Sequence, residues 1–309
     1  MIHTEAQHHH MKYTSISDVL KNEYGQKIYK LSLSSGCTCP NRDGRISYGG
    51  CTFCSEGGSG DFAAPFEDID TQIREARKLV DKKIPASIRP EDRKYIAYFQ
   101  SYTNTYGDTA RLEKLYAETI NRPEIVILSL GTRPDCIDTE KLEMIKRLNR
   151  IKPVWIELGL QTIHQSTAEK INRCYNLPVF TDTYRRLKEA GITVIVHVIF
   201  GLPGETRDDM METIRFLSSL LEPGDGIKIQ LLHVLKGTEL CRQYTANPFH
   251  ILTLDEYADL VCEALSILPD YIIIHRLTGD GPKSQLVEPQ WSADKKRVMN
   301  TLRKRIAEF

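Results

Sequence analysis

The chain has no surplus of charge of either sign. Over 309 residues, 41 Lys and Arg stand against 41 Asp and Glu, so the formal net charge is zero. This excludes a uniformly basic nucleic-acid protein, while a local basic face stays open. No apolar run is long enough to cross a bilayer. The longest, around 192–200, contains His197 and falls far short of the roughly 18–20 residues required. The opening MIHTEAQHHH has no apolar stretch, so no secretion signal is read and a cytoplasmic protein without a membrane partner is expected. His8, His9 and His10 could bind metal, but read more simply as a disordered terminus. Internal repeats and long low-complexity linkers are also lacking. The remainder, 41% hydrophobic and 27% charged, is ordinary for one large α/β domain or two smaller ones.

Cysteine, by contrast, is plentiful. Of eight, Cys37, Cys39, Cys51 and Cys54 crowd together, while Cys136, Cys174, Cys241 and Cys262 are scattered and read as structural thiols. A disulfide framework belongs to short secreted chains, so the crowded set points to metal or redox chemistry.

Short β-rich runs alternate with amphipathic stretches. Strands are expected at 27–33, 95–99, 125–130, 154–158, 193–200, 226–231 and 271–275. Helices are expected at 68–83, 109–121, 139–149, 179–190, 207–220, 254–268 and 294–308, with Asp138 and Thr206 as starting signals. The repeated strand–helix–strand order predicts parallel βαβ units. A TIM-like (β/α) barrel, partial or complete, is the economical fold, with an open doubly wound sheet as the alternative. The division expected is a disordered 1–15, a barrel domain over 16–281 and a short basic helical extension over 282–309.

Directly after the first strand, Cys51 and Cys54 form a C-x2-C, and Cys39 lies eleven turn-rich residues before Cys51. Three thiolates on one glycine-rich loop can hold three irons of a [4Fe–4S] cluster and leave the fourth open. The competing reading is a closed zinc site of Cys37, Cys39, Cys51 and Cys54. The single C-x2-C and the position at a strand end favour the cluster.

Other suggestive residues also follow strands. Gln100, Ser101 and Asn104 belong to a polar loop suited to amino and carboxylate groups, or to an ordinary turn. Arg133 could grip a carboxylate or simply pair with Asp135. Glu157 stands among apolar neighbours and needs a partner, in a segment that runs on to Gln161. Gly201 permits close approach of a flat ligand. His197, His233 and His275 are candidates for ligand contact or for satisfied core positions.

Together these segments resemble the radical S-adenosylmethionine (SAM) superfamily, and within it the YhcC/YtqA-type family. That family lies near the elongator catalytic-subunit-like and coproporphyrinogen-dehydrogenase-like branches. The resemblance rests on CPNRDG at 39–44, GGCTFC at 49–54, YTNTY at 102–106, ELGLQT at 157–162, GLPGET at 201–206 and RLTGDGP at 276–282. The spacing here is C-x11-C-x2-C, against the superfamily's commoner C-x3-C-x2-C. The resemblance implies cluster ligation by Cys39, Cys51 and Cys54, with Cys37 left out. It implies SAM contacts from Gln100, Ser101, Asn104, Arg133, Glu157, Gln161 and Gly201, and no residue is assigned as a general base. It further implies a 5′-deoxyadenosyl radical, an electron donor such as flavodoxin or ferredoxin, and tRNA as partner. The reaction expected is remodelling of the C5 side chain of a wobble uridine, with a separate methyltransferase acting downstream. The chain ends at Phe309 without room for the acetyltransferase domain of elongator-type relatives. Basic clusters at Lys146, Arg147, Arg150 and Lys152, and at Lys295, Lys296, Arg297, Arg303, Lys304 and Arg305, offer a local RNA face or solvated helices. A radical enzyme on a porphyrin-like small molecule and a zinc-stabilised binding domain are the competing functions.

Overall fold

A computed structural model describes residues 13–58, 66–279 and 281–309. The chain opens with α1 (Ile16–Tyr24), β1 (Tyr29–Leu33), α2 (Ile69–Val80), β2 (Tyr95–Phe99), α3 (Thr109–Ile120) and β3 (Ile125–Thr132). It continues through α4 (Thr139–Asn149), β4 (Val154–Gln161), α5 (Gln165–Lys170), α6 (Leu177–Glu189), β5 (Thr193–Phe200) and α7 (Arg207–Leu220). The last part holds β6 (Gly226–Leu231), β7 (Val234–Leu235), α8 (Glu239–Ala246), α9 (Leu254–Ile267), β8 (Ile273–Arg276), β9 (Leu286–Glu288) and α10 (Lys295–Glu308).

Seven strands form one parallel sheet in the order β1-β2-β3-β4-β5-β6-β8, while β7 and β9 make a separate antiparallel pair. The order is sequential and the sheet is strongly curved. Neighbouring strands lie about 4.8 Å apart, so β1 and β4 would be far apart on a flat sheet. Yet Lys30 on β1 reaches Glu157 on β4 at 2.6 Å, and Lys228 on β6 reaches the Tyr98 hydroxyl on β2 at 3.3 Å. Only a sheet rolled into a partial barrel allows both contacts. The expected TIM-like architecture therefore takes its partial form, and the open doubly wound sheet is set aside.

Strand alternation divides the two faces. Outward residues such as Leu31, Phe99, Leu128, Leu158, Val196 and Ile229 are fully buried beneath the helices and form the main core. Inward, Ile96, Ile127, Trp155 and Ile195 pack on Leu20 of α1, which stoppers the N-terminal end of the barrel. Helix starts follow their caps: Asp138 accepts the Lys141 N–H, and Thr206 with Asp209 completes a reciprocal capping box.

Residues 1–12, His8–His10 among them, lie outside the described residues. Disorder was expected as far as residue 15. Instead, the Thr14 hydroxyl donates to the Asp270 carbonyl at 2.8 Å, and Ser15 caps α1. The 282–309 segment, expected as a short basic helical extension, contains β9 and α10. Val298, Leu302 and Ile306 of α10 are buried in the main core, where α10 packs against α9. Among the described residues, no helix is long and apolar enough to cross a membrane.

Candidate active site at the strand ends

The cysteine loop begins directly after β1 and is tied to the far side of the barrel. The Asn41 amide donates to the Asn172 carbonyl, the Asn172 amide returns a bond to the Gly50 carbonyl at 2.8 Å, and the Thr52 N–H donates to the Ile171 carbonyl at 3.0 Å. The Arg42 guanidinium holds the loop's inside through the Ser55 carbonyl at 2.7 Å. Gly50 has a φ of +85°, and an added Cβ would come within 3.1 Å of that guanidinium, so glycine suits the position on both counts.

Cys39, Cys51 and Cys54 line one end of a cavity of about 230 Å³ at the C-terminal edge of the sheet. Their proximity shows in their electrostatics. A hydrogen bond with Cys54 and then burial push the Cys51 thiol well above its ordinary pKa, and Cys39 adds to the rise. Cys37 is not with them. It is buried toward α3, where its sulfur accepts from the Arg111 guanidinium at 3.3 Å. A closed four-thiolate zinc site is therefore not assembled, whereas three converging thiols suit a cluster with one open iron.

The remaining expected residues separate into two groups. Gln100, Arg133, Glu157 and Gln161 line the same cavity as the three thiols. Arg133 pairs with Asp135 through two bonds of 2.9 and 2.7 Å and donates to the Arg173 carbonyl. Burial opposes its charge, but Asp135 more than offsets this and raises its pKa. Gln161 ends β4 with a φ of +63°, unusual for a residue with a side chain, and the Tyr175 hydroxyl lies within bonding distance of both its side-chain Oε1 (3.2 Å) and the Gly159 backbone carbonyl (2.7 Å).

Ser101, Asn104 and Gly201, also expected to contact SAM, do not line the cavity. Asn104 is fully buried. Its amide donates to the Phe99 and Gly131 carbonyls, and its oxygen accepts from Ser35, so its bonding capacity is used in holding strand ends together. Ser101 is buried behind the wall. Gly201 packs toward Leu252, and its N–H points at the Met210 sulfur.

Beneath the cavity mouth is a charged layer that the sequence analysis had only begun to see. Glu157, 1% exposed, accepts from Lys30 and Ser129 on one oxygen and lies beside Lys228 and His197 on the other. Burial alone would raise its pKa, but Lys228, then Lys30 and His197, hold it well below the ordinary value. Burial and the nearby Lys228 depress His197 to about 4, so at neutral pH it is uncharged, and its Nε2–H donates to the carboxylate at 2.8 Å. Lys228 and Arg276, absent from the expected set, also line the cavity, as do His197 and His233. His275 does not, being packed edge-on against Trp155 at 5.1 Å. Arg173 is a further unanticipated feature. Fully buried, it spends its guanidinium on the carbonyls of Leu160, Thr162 and Tyr175.

Comparison with known proteins meets this geometry directly. Residues 36–217 match the radical SAM superfamily, and residues 224–308 match the radical SAM C-terminal domain. The chain belongs to the radical SAM superfamily. It is 40% identical to YtqA of Bacillus subtilis over 98% of this chain and 90% of that protein. It is 27% identical to a tRNA uridine(34) acetyltransferase of Methanocaldococcus jannaschii over 59% of this chain and 33% of the other. Among solved structures, the archaeal Elp3 of Methanocaldococcus infernus with residues 1–46 deleted superposes with a TM-score of 0.61 at 17% identity, covering 87% of this chain and 63% of that one. Radical SAM proteins use a [4Fe–4S] cluster and SAM, and here three thiols line one cavity at the strand ends.

Proposed function

We propose that this radical SAM chain remodels the C5 side chain of a wobble uridine in tRNA. The observation that carries the proposal is one continuous cavity joining Cys39, Cys51 and Cys54 to the buried layer around Glu157. Cys39, Cys51 and Cys54 would hold the cluster, and Gln100, Arg133, Glu157 and Gln161 would contact SAM. When bound, the two cofactors supply a 5′-deoxyadenosyl radical that removes a hydrogen atom from the substrate. The protein's share is positional. Tyr175 fixes Gln161, Asp135 fixes Arg133, and the stoppered barrel keeps bulk water from the reacting groups. No side chain is assigned as a general base.

The choice of tRNA is supported by the likeness to a tRNA uridine(34) acetyltransferase. A base taken out of its stack would enter from the strand ends, the open side of the cavity. Of the two basic clusters, the one around Lys146 is largely committed: Lys146 pairs with Glu143, Arg147 with Glu113, and Lys152 caps backbone carbonyls. On α10, Arg305 pairs with Asp255 and Asp259, while Lys296, Arg297 and Arg303 are exposed and form the better phosphate surface. An electron donor of flavodoxin or ferredoxin type and a methyltransferase acting on the product complete the proposed partners. The test is mass spectrometry of tRNA nucleosides from cells with and without the gene. Loss of one modified wobble uridine with build-up of its precursor is expected. An unchanged profile overturns the tRNA assignment and favours a small-molecule substrate.

A further inference from the structure

The cysteine loop carries one buried side chain whose bonds are only partly explained by holding the loop in place. Asn41 is fully buried, and its backbone carbonyl accepts the Gly50 N–H at 2.8 Å, which pins it beside Cys51. Its amide nitrogen has two hydrogens and two acceptors within reach: the Asn172 carbonyl and, at 3.6 Å, the Cys51 Sγ. The amide oxygen, Oδ1, is buried without a hydrogen-bond partner. Turning the amide over would not satisfy it, because Oδ1 would then meet the Asn172 carbonyl, acceptor against acceptor. The donor end is therefore the one held at the sulfur.

A buried amide with an orphaned oxygen is a poor brace, since that oxygen gives up its hydration for nothing in return. Bracing is also supplied from the other side. Asn172, at a φ of +54° just past the end of α5, donates its own amide to the Gly50 carbonyl at 2.8 Å. The Thr52 N–H adds its bond to the Ile171 carbonyl. What Asn41 contributes beyond these ties is a hydrogen aimed at a sulfur. A thiolate bound to iron gains electron density when the cluster is reduced. An N–H donor at that sulfur stabilises the reduced state more than the oxidised one.

We propose that the Asn41 amide donates a hydrogen bond to the Cys51 sulfur and so raises the reduction potential of the cluster. Asn41 is a positioning residue that acts through Cys51, setting how readily an electron enters. The proposal rests on the reading of Cys39, Cys51 and Cys54 as cluster ligands, not on the tRNA assignment.

The experiment is a dye-mediated redox titration of anaerobically reconstituted protein without SAM, followed by the paramagnetic resonance signal of the reduced cluster. Asn41→Leu fills the same space without a donor. At a given potential its reduced-to-oxidised ratio is expected to fall about tenfold, a midpoint ~59 mV lower for one electron. Asn172→Gly removes the tie to Gly50 but keeps the carbonyl that orients Asn41, and glycine suits the left-handed backbone. Its ratio should stay within about twofold of the parent, while a chelator strips its iron faster. Equal shifts in the two variants overturn the proposal, because Asn41 is then a brace. So does an unchanged midpoint in Asn41→Leu.

Should Asn41→Leu fail to hold a cluster, the parent protein decides. With asparagine labelled by nitrogen-15 at the side-chain amide alone, pulsed paramagnetic resonance should show that nitrogen coupled to the reduced cluster. The coupling should persist in Asn172→Gly, and its absence from the parent overturns the proposal. A parent that takes up no iron ends the ligand reading itself, whereas a loaded parent that fails these tests ends this proposal alone.

Discussion

Glu157 and Leu158 are neighbours on β4, both shielded from solvent, and they face opposite sides of one strand. Leu158 belongs to an apolar layer in which each side chain is one of many and the helices supply the partners. Glu157 belongs to a layer where each charge has a particular counterpart: Lys30, Lys228 and His197 arrive from three other strands. The outer face is held by quantity and tolerates exchange of similar shapes. The inner face is held by pairing and fails when one partner is removed. The fold is thus secured on one side of the sheet, and the chemistry is arranged on the other.

The sharpest test contrasts thiols on the two sides. Cys51→Ala should abolish iron and sulfide incorporation, while Cys262→Ala, buried in the outer core on α9, should keep both at parental levels. Equal iron in the two proteins would sink the ligand assignment. Next in size is the carboxylate. Glu157→Leu strands Lys30 and Lys228 and should cost about 3–5 kcal/mol in urea unfolding. Leu158→Ala should cost about 2–4 kcal/mol through a cavity alone. Exchanging Glu157 and Lys228 together for methionine should recover much of the first loss and none of the second, and failure to recover would show that the inner layer is not governed by pairing.

A smaller effect follows from His197. Folded, it titrates near 4 because of burial and Lys228; unfolded, it titrates near 6.5. Between these values the unfolded chain binds the extra proton, so stability falls as pH drops from about 6.5 toward 4. The loss, complete only below pH 4, is on the order of 3 kcal/mol. Glu157, whose pKa is depressed, adds its own loss only below about 4.5, where an unfolded glutamate begins to protonate. Stability measured between pH 6.5 and 5 should therefore flatten in His197→Gln and keep its slope in Leu158→Ala. The least effect belongs to the exposed surface. Arg147→Ala breaks the exposed pair with Glu113 and should cost less than about 1 kcal/mol. Arg303→Ala should leave unfolding unchanged and lower the salt dependence of tRNA binding by about one counterion. An unaltered slope would remove α10 from the RNA surface.

The outer face was the legible one. Strands at 95–99, 193–200 and 226–231 and helices at 139–149 and 207–220 match the observed bounds, because periodicity and caps are local signals. Helices α1, α5 and α8 and the β7–β9 pair were not anticipated. They are short, and α1 makes sense only as a stopper for a barrel already rolled. Spacing drew attention to the three thiols, but it left a four-cysteine zinc site open, and only the resemblance left Cys37 out; the structure turns Cys37 toward Arg111. The bracing role of Asn104 was not legible, because a polar loop residue that binds a ligand and one that braces a backbone look alike in sequence. The inner layer did leave a trace: Lys30, Glu157, His197 and Lys228 are each the only acidic or basic side chain in their strand. Aligning those four by register, two residues apart on each face, is the step that joins them. Taken singly along the chain, Glu157 and His197 stand out among apolar neighbours, whereas the two lysines look like ordinary surface charges.

Helix α1, seated under Trp155 and Ile195, has a consequence for traffic. With that end corked, traffic to the layer around Glu157 is left to the strand ends, where the three thiols stand, and to the seam between β1 and β8, which share no ladder.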